Sequence, residues 1–312
     1  MKAVLYPFGQ DEPIVALTRD FAQLQWAVVG SPAEVAREIA DATILVTSNR
    51  VCSAAYGEAL RANATSLLRW IHFTSAGIDG GLRMGLPAEV TVTNSTGVKA
   101  AMVSEHALAL LLALVRGLPG LQAGQRARRW RHDAAFAAMR TLEGAVVCII
   151  GLGSIGRAVA RKAKAFDARV IAVSRAGDVG GDIDELFPRE RLADALACAD
   201  AVVICTSSDP TSHHLISADA LAVMAPKALL VNVARGNLVD GAALDVTESE
   251  PLQSTSPLWD LPNVIISPHV AGGGSTGYAQ QKALFAENLA CLAAGEPLRN
   301  ICHIPRRRRR DR

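Results

Sequence analysis

The stretch Val146-Val147-Cys148-Ile149-Ile150-Gly151-Leu152-Gly153-Ser154-Ile155-Gly156 decides the fold. Five apolar residues, mostly β-branched, read as a strand buried on both faces. A G-x-G-x-x-G run alone is a weak signal. Here it leaves that strand and opens a helix over residues 155–166, the context in which the motif binds a dinucleotide. Gly151 permits the tight turn, Gly153 lets backbone approach a pyrophosphate, and Gly156 lets helix and strand pack closely. Ser154 and Ile155 begin the helix, whose unpaired N–H groups and partial positive charge face the phosphate.

Working outward, short apolar runs alternate with helical stretches on both sides. Before the loop lie expected strands at residues 3–6, 27–29, 44–47, 70–73 and 91–94, with a helix at 32–42. A long helix carries the apolar run 107–115, begun by Ser104 and Glu105. After the loop come expected strands at 146–150, 170–173, 201–206, 229–233, 243–246 and 264–267, with helices such as 218–224. A helix over 284–294 returns to the N-terminal part. Repeated strand–helix alternation predicts an α/β protein with two doubly wound parallel sheets, of Rossmann and flavodoxin type. The nucleotide domain, residues 96–271, is inserted into a discontinuous substrate domain, residues 1–95 plus 272–312. At 312 residues the chain suits two such domains.

Composition limits the partners. Half the residues are hydrophobic and the formal net charge is only +2, so the body of the protein has no strong pull toward nucleic acid or anionic membrane. No apolar run approaches the roughly 20 residues of a membrane span, and Pro7 interrupts the N-terminus too early for a signal sequence. The six cysteines show no short C-x-x-C spacing, and Cys148 and Cys205 lie inside apolar runs. They read as reduced core thiols of a cytoplasmic protein, with no metal site. The run Arg306 to Arg310 reads as a solvated end with no aromatic residue to stack on bases.

The strand at 170–173 ends in Ser174-Arg175, where an NAD site would place an acidic side chain against the ribose 2′-hydroxyl. A guanidinium pairs with a 2′-phosphate that a carboxylate would repel, so NADP(H) is the preferred cofactor, with NAD(H) also allowed. Three more residues follow expected strand ends, where ligands bind in this architecture. Arg235 follows 229–233, Glu250 follows 243–246 and His269 follows 264–267. A cation, a carboxylate and an imidazole there suit reduction of a carbonyl next to a carboxylate.

These residues sit in a longer series of motifs. They include Phe73-Thr74-Ser75-Ala76-Gly77-Ile78-Asp79-Gly80, Ser104-Glu105-His106-Ala107-Leu108-Ala109 and Val231-Asn232-Val233-Ala234-Arg235-Gly236. Ala243-Leu244-Asp245-Val246, Glu250-Pro251 and Ser267-Pro268-His269-Val270-Ala271-Gly272 complete the series. From about Tyr6 to Ile301 the sequence resembles the D-isomer-specific 2-hydroxyacid dehydrogenases, glyoxylate and hydroxypyruvate reductases among them. The resemblance implies that His269 donates a proton to the substrate carbonyl while Glu250 orients it and favours its charged form. Arg235 would clamp the substrate carboxylate, and the backbone N–H groups of Ser75, Ala76 and Gly77 would hold it from the substrate domain. Thr206, Val233 and Asp245 match positions that line the cofactor. The implied assembly is a homodimer.

One departure stands out. From Arg235 to Glu250 is only 15 positions (250 − 235), about half the spacing in the family, whose pattern has a helix after Asp240. Parallel neighbours need a crossover of about a dozen residues or more. Residues 236–242 reach at most roughly 24 Å. The expectation is an internal deletion of one helix that displaces Glu250 from Arg235 and His269. Alongside the reductase this keeps an alternative, a protein that binds NADP(H) without turnover.

Overall fold

A computed structural model of the chain describes residues 1–8, 12–130, 139–175, 180–207, 211–239, 245–247, 250–261, 264–272 and 276–304. The chain divides into two compact units, Met1–Lys99 with Gly274–Arg312, and Ala100–Gly273. The Arg306–Arg310 run and residues 240–244, which include only the end of the expected crossover, lie outside the described residues.

The first unit is built on β1 (Lys2–Tyr6), β2 (Gln25–Val28), β3 (Ile44–Thr47), β4 (Trp70–Phe73) and β5 (Thr91–Thr93), all parallel in the order β2-β1-β3-β4-β5. Ala3, Leu5, Ile44, Val46 and Trp70 face one core with Phe285, Leu289 and Leu292 of the helix Thr276–Ala294, while Val4, Leu45 and Ile71 face the other. Alternate residues therefore enter opposite cores, which is why β3 and β4 are buried at every position.

One polar residue lies in the middle of this sheet. His72 is fully buried, and its hydrogen bonds are closed. Gln281 Nε2 donates to His72 Nε2 at 3.1 Å and to Ser95 Oγ at 2.7 Å. His72 Nε2 therefore accepts, and Nδ1 carries the proton donated to Thr93 Oγ1 at 2.9 Å. Burial pushes the imidazole down to about 3, so it is neutral.

The second unit carries β6 (Val146–Ile150), β7 (Arg169–Val173), β8 (Glu185–Phe187), β9 (Ala201–Ile204) and β10 (Leu229–Asn232), parallel in the order β10-β9-β6-β7-β8. The strand order reverses between β6 and β9, and ligands of such sheets bind outside the carboxyl ends at that point. The helix Ala100–Val115 packs on the helix Ser154–Lys164, where Lys162 Nζ reaches Ala101 O at 3.2 Å and Ser104 Oγ at 2.5 Å. Ser104 does not start this helix, as its residue type suggests. It sits inside the first turns and its hydroxyl bonds back to Ala101 O. All six cysteines are free thiols, and burial pushes Cys148 and Cys205 up to about 12. Among the described residues no single helix is long and apolar enough to cross a membrane.

The expected strands at 243–246 and 264–267 are not strands where described. Residues 245–247 and 264–267 run as irregular chain. After β10 the chain turns through a short 3-10 helix, Gly236–Leu238, and Val239 bridges to Ile216. That pairing takes up most of the short crossover, and Asp245 N–H makes a single bond to Asn232 O at 3.2 Å. Val264 and Ile265 remain half-buried against the core, so their apolar character reflects burial and not ladder pairing.

Candidate active site

The glycine-rich loop lies at the strand-order reversal, between the carboxyl ends of β6 and β9. Gly151 has φ +97°, and a Cβ there would stand 2.7 Å from Thr206 Cα and 2.8 Å from its N. Only glycine tolerates both the dihedral and the approach. A Cβ on Gly156 would collide with Gly151 O, whereas one on Gly153 meets nothing within 4 Å. Gly153 caps the 11-residue helix Ser154–Lys164 without a side-chain bond, so the first-turn N–H groups of Ser154, Ile155 and Gly156 face an open approach. A closed turn, an open middle glycine and an uncapped helix start fit a pyrophosphate. Ser174 and Arg175 follow β7, the next strand of the sheet, with Ser174 N–H bonded to Phe187 O at 3.2 Å and Arg175 exposed.

His269 and Glu250 meet. His269 Nδ1 lies 2.9 Å from Glu250 Oε2, and Thr247 N–H donates to Glu250 Oε1 at 3.3 Å. The carboxylate engages Nδ1, so Nε2 lies on the ring edge away from Glu250. The side chains are 32% and 40% exposed, open enough for a ligand to reach. The expected displacement of Glu250 from His269 does not occur. His269 holds φ +53°, in the left-handed region. Its N–H is fixed by Asp245 O at 2.8 Å and Ser267 O at 3.0 Å.

Asp245 organises that loop. Only 2% exposed, its carboxylate accepts from Ser267 Oγ at 2.5 Å, Val270 N at 3.1 Å and Ala271 N at 3.4 Å. Since Ser267 gives its one hydroxyl proton to Asp245, His106 Nε2, 2.9 Å from the same oxygen, is the donor. Arg235 follows β10, half-buried, with its backbone carbonyl held by Asn232 Nδ2 at 2.8 Å and its own Nη1 on Ala234 O at 2.7 Å. Val233 is buried beside it, its N–H on Ile204 O at 3.3 Å.

In the first unit the turn Ser75-Ala76-Gly77 leaves the carboxyl end of β4. Asn49 tightens it, donating from its N–H to Ser75 Oγ at 3.3 Å and accepting at Oδ1 from Gly80 N–H at 2.8 Å. Ser75 Oγ in turn donates to Gly77 O at 2.9 Å.

Residues 108–271 match the family profile described as D-isomer specific 2-hydroxyacid dehydrogenase, NAD binding domain. The chain is 30% identical over 279 residues to the glyoxylate reductase of Thermococcus gammatolerans, covering 82% of this chain and 80% of that protein. The chain belongs to the D-isomer specific 2-hydroxyacid dehydrogenases. A solved member of this family from Aeromonas salmonicida superposes with a TM-score of 0.82 at 28% identity, over 97% of the dehydrogenase described here and 99% of that chain. D-3-phosphoglycerate dehydrogenase of Mycobacterium tuberculosis is 35% identical over 229 residues, 66% of this chain but only 41% of that protein.

The dehydrogenase is therefore an oxidoreductase with a nicotinamide cofactor, acting on small 2-hydroxy or 2-oxo acids. Sequence reading finds His269, Glu250 and the glycine loop by their motifs. It leaves His106, Ser267 and Asn49 without a role, because their partners are distant in sequence. His106 and Ser267 are 161 positions apart. The dehydrogenase uses Asp245 as an internal anchor, so whatever it contributes at the cofactor passes through the loop it holds.

Proposed function

We propose that the dehydrogenase reduces a small 2-oxo acid of the glyoxylate or hydroxypyruvate type to its D-2-hydroxy acid, preferring NADPH. The observation that carries this reading is the 2.9 Å contact of His269 Nδ1 with Glu250, which orients the ring for Nε2 to protonate a carbonyl oxygen. Gly151, Gly153, Ser154, Ile155 and Gly156 bind the pyrophosphate, Ser174 and Arg175 take the 2′-phosphate, Thr206 and Val233 line the remainder, and Asp245 acts there through the loop it holds. When bound, the reduced nicotinamide supplies hydride to the keto carbon. Charged His269 stabilises and quenches the negative charge that develops on the substrate oxygen, and Glu250 balances the imidazolium. Arg235 binds the substrate carboxylate, the role that the family resemblance gives also to the amides of Ser75, Ala76 and Gly77. The relatives named glyoxylate reductase favour this substrate class. Binding without turnover rests only on the short crossover, and Glu250 in place at His269 favours turnover.

Two further elements belong to the proposal. One is a homodimer, suggested by the family resemblance and the apolar run 107–115. The other is a reducing cytoplasmic setting, which suits six free thiols.

Steady-state reduction of glyoxylate and hydroxypyruvate with NADPH and with NADH tests the reading. Turnover is expected, with lower KM for NADPH, and Arg175→Ala raises that KM about tenfold, as loss of a charge-assisted bond does, while leaving NADH unaffected. NADPH binding without turnover would overturn the reductase, and equal KM values for the two cofactors would overturn the preference.

A further inference from the structure

The turn Ser75-Ala76-Gly77 can bind a carboxylate only if its N–H groups face the ligand, and what turns them is visible. Ser95 N–H donates to Ser75 O at 3.1 Å, and Asn94 Nδ2 donates to Ala76 O at 2.7 Å. Ser95 Oγ holds Phe73 O at 2.9 Å on the same stretch. A trans peptide is planar with its C=O and N–H antiparallel, and both peptides here are trans. The carbonyl of Ser75 and the N–H of Ala76 share one peptide, and the carbonyl of Ala76 and the N–H of Gly77 share the next. Drawing both carbonyls onto Asn94–Ser95 sends both N–H groups to the opposite side. Among the described residues, no acceptor takes either N–H, and Ala76 is exposed.

Asn94 is itself held from three directions. Its Oδ1 accepts from Thr96 N–H at 3.1 Å, and its backbone N–H donates to Asn300 O at 3.2 Å. Asn300 Nδ2 donates to the carbonyls of Asn94 at 3.2 Å and Thr96 at 3.0 Å. The side chain is thus a fixed bracket with its amide nitrogen committed to Ala76.

We propose that Asn94, backed by Asn300, is a positioning residue that aims the Ala76 and Gly77 amides at the substrate carboxylate. This rests on the functional reading above, in which those amides bind that carboxylate. The carboxylate is held alike before and during the chemical step, so loss of aim acts as loss of uniform binding and raises KM without lowering kcat.

Asn94→Ser is the diagnostic variant. Its hydroxyl still accepts from Thr96 N–H two residues on, which keeps the local turn, but it is too short to reach Ala76 O. The measurements are kcat and KM for glyoxylate, the Kd of oxamate for the NADP-loaded protein, the Kd of NADPH, and the thermal midpoint. Expected are a KM and an oxamate Kd each raised about tenfold, roughly the effect of one lost bond to a charged group. The kcat and NADPH Kd stay within about twofold, and Asn94→Gln recovers part of the loss. Unchanged KM and oxamate Kd would overturn the assignment while the functional reading stands. A fall in kcat, NADPH affinity and midpoint together would also overturn it, by showing a general loss of structure. If wild type binds oxamate without turnover and Asn94→Ser loses that binding, the assignment holds and the reductase reading fails. If wild type shows neither turnover nor oxamate binding, both fail.

Discussion

His269 occupies a backbone region that few residues other than glycine enter, and it does so with its N–H clamped by two carbonyls. The conformation fixes where the imidazole starts, and Glu250 fixes which nitrogen is offered. A neutral amide at position 250 can orient the ring but cannot balance its charge. Glu250→Gln is accordingly expected to lower kcat about 10²-fold, at the lower end of general acid–base contributions. The affinity for NADPH stays within about twofold, because Glu250 bonds to His269 and to Thr247 N–H and not to the glycine loop. Steady-state rates beside a fluorescence titration of NADPH check this, and an unchanged kcat would remove Glu250 from the chemistry. Asp245 works one step back, as a buried anion whose partners are the residues flanking His269.

Among elements, the legible ones are those whose own residues state their burial. β1, β3, β4, β6 and β9 are short apolar runs buried in parallel sheets, and their ends fall within two residues of expectation. β8, Glu185-Leu186-Phe187, escapes notice because only Phe187 is buried and pairing with β7 defines it. The opposite error occurs at residues 264–267, where apolar side chains cover the core from irregular chain. Burial is written in composition, but hydrogen-bond pairing depends on what neighbours are left, and Val239 had already joined Ile216. The same division holds for the site. His269 and the glycine loop are local patterns, whereas the bracket of Asn94 and the donor His106 exist only once distant segments meet. The glycine loop gives the test at this scale. Gly151→Ala introduces a Cβ 2.7 Å from Thr206 Cα at φ +97°. Neither backbone can yield without disturbing β6 or β9. A loss of roughly 1–3 kcal/mol is expected from the strained dihedral alone, with NADPH binding lost as well. Urea unfolding and cofactor titration read the two effects, and wild-type values in both would refute the close approach.

At the scale of the whole molecule, the buried His72 links stability to pH. Its folded value of about 3 lies below the ordinary 6.5. Above about pH 6.5 both states carry it neutral and it adds no dependence. As pH falls below that, the unfolded chain binds a proton that the folded chain refuses, so stability declines down to about pH 3. The slope due to this group approaches about 1.4 kcal/mol per pH unit. Denaturant unfolding from pH 7 to pH 4 should show this decline in wild type and a shallower one in His72→Asn. Parallel curves would show that His72 is not the group responsible.

The sheet of the first unit needs Phe285, Leu289 and Leu292 to cover one of its faces, yet the segment Ala100–Gly273 separates them from β5. On a ribosome, the aromatic and aliphatic face of Trp70, Ile44 and Leu5 is made early and waits for its cover. About 175 residues of the other unit are synthesised in between, which takes roughly 10 to 35 s at the usual rate of elongation. The inserted unit can finish folding while its host is still half-built. Nascent chains are therefore most exposed to chaperone capture in that interval, on a surface that the mature protein never shows.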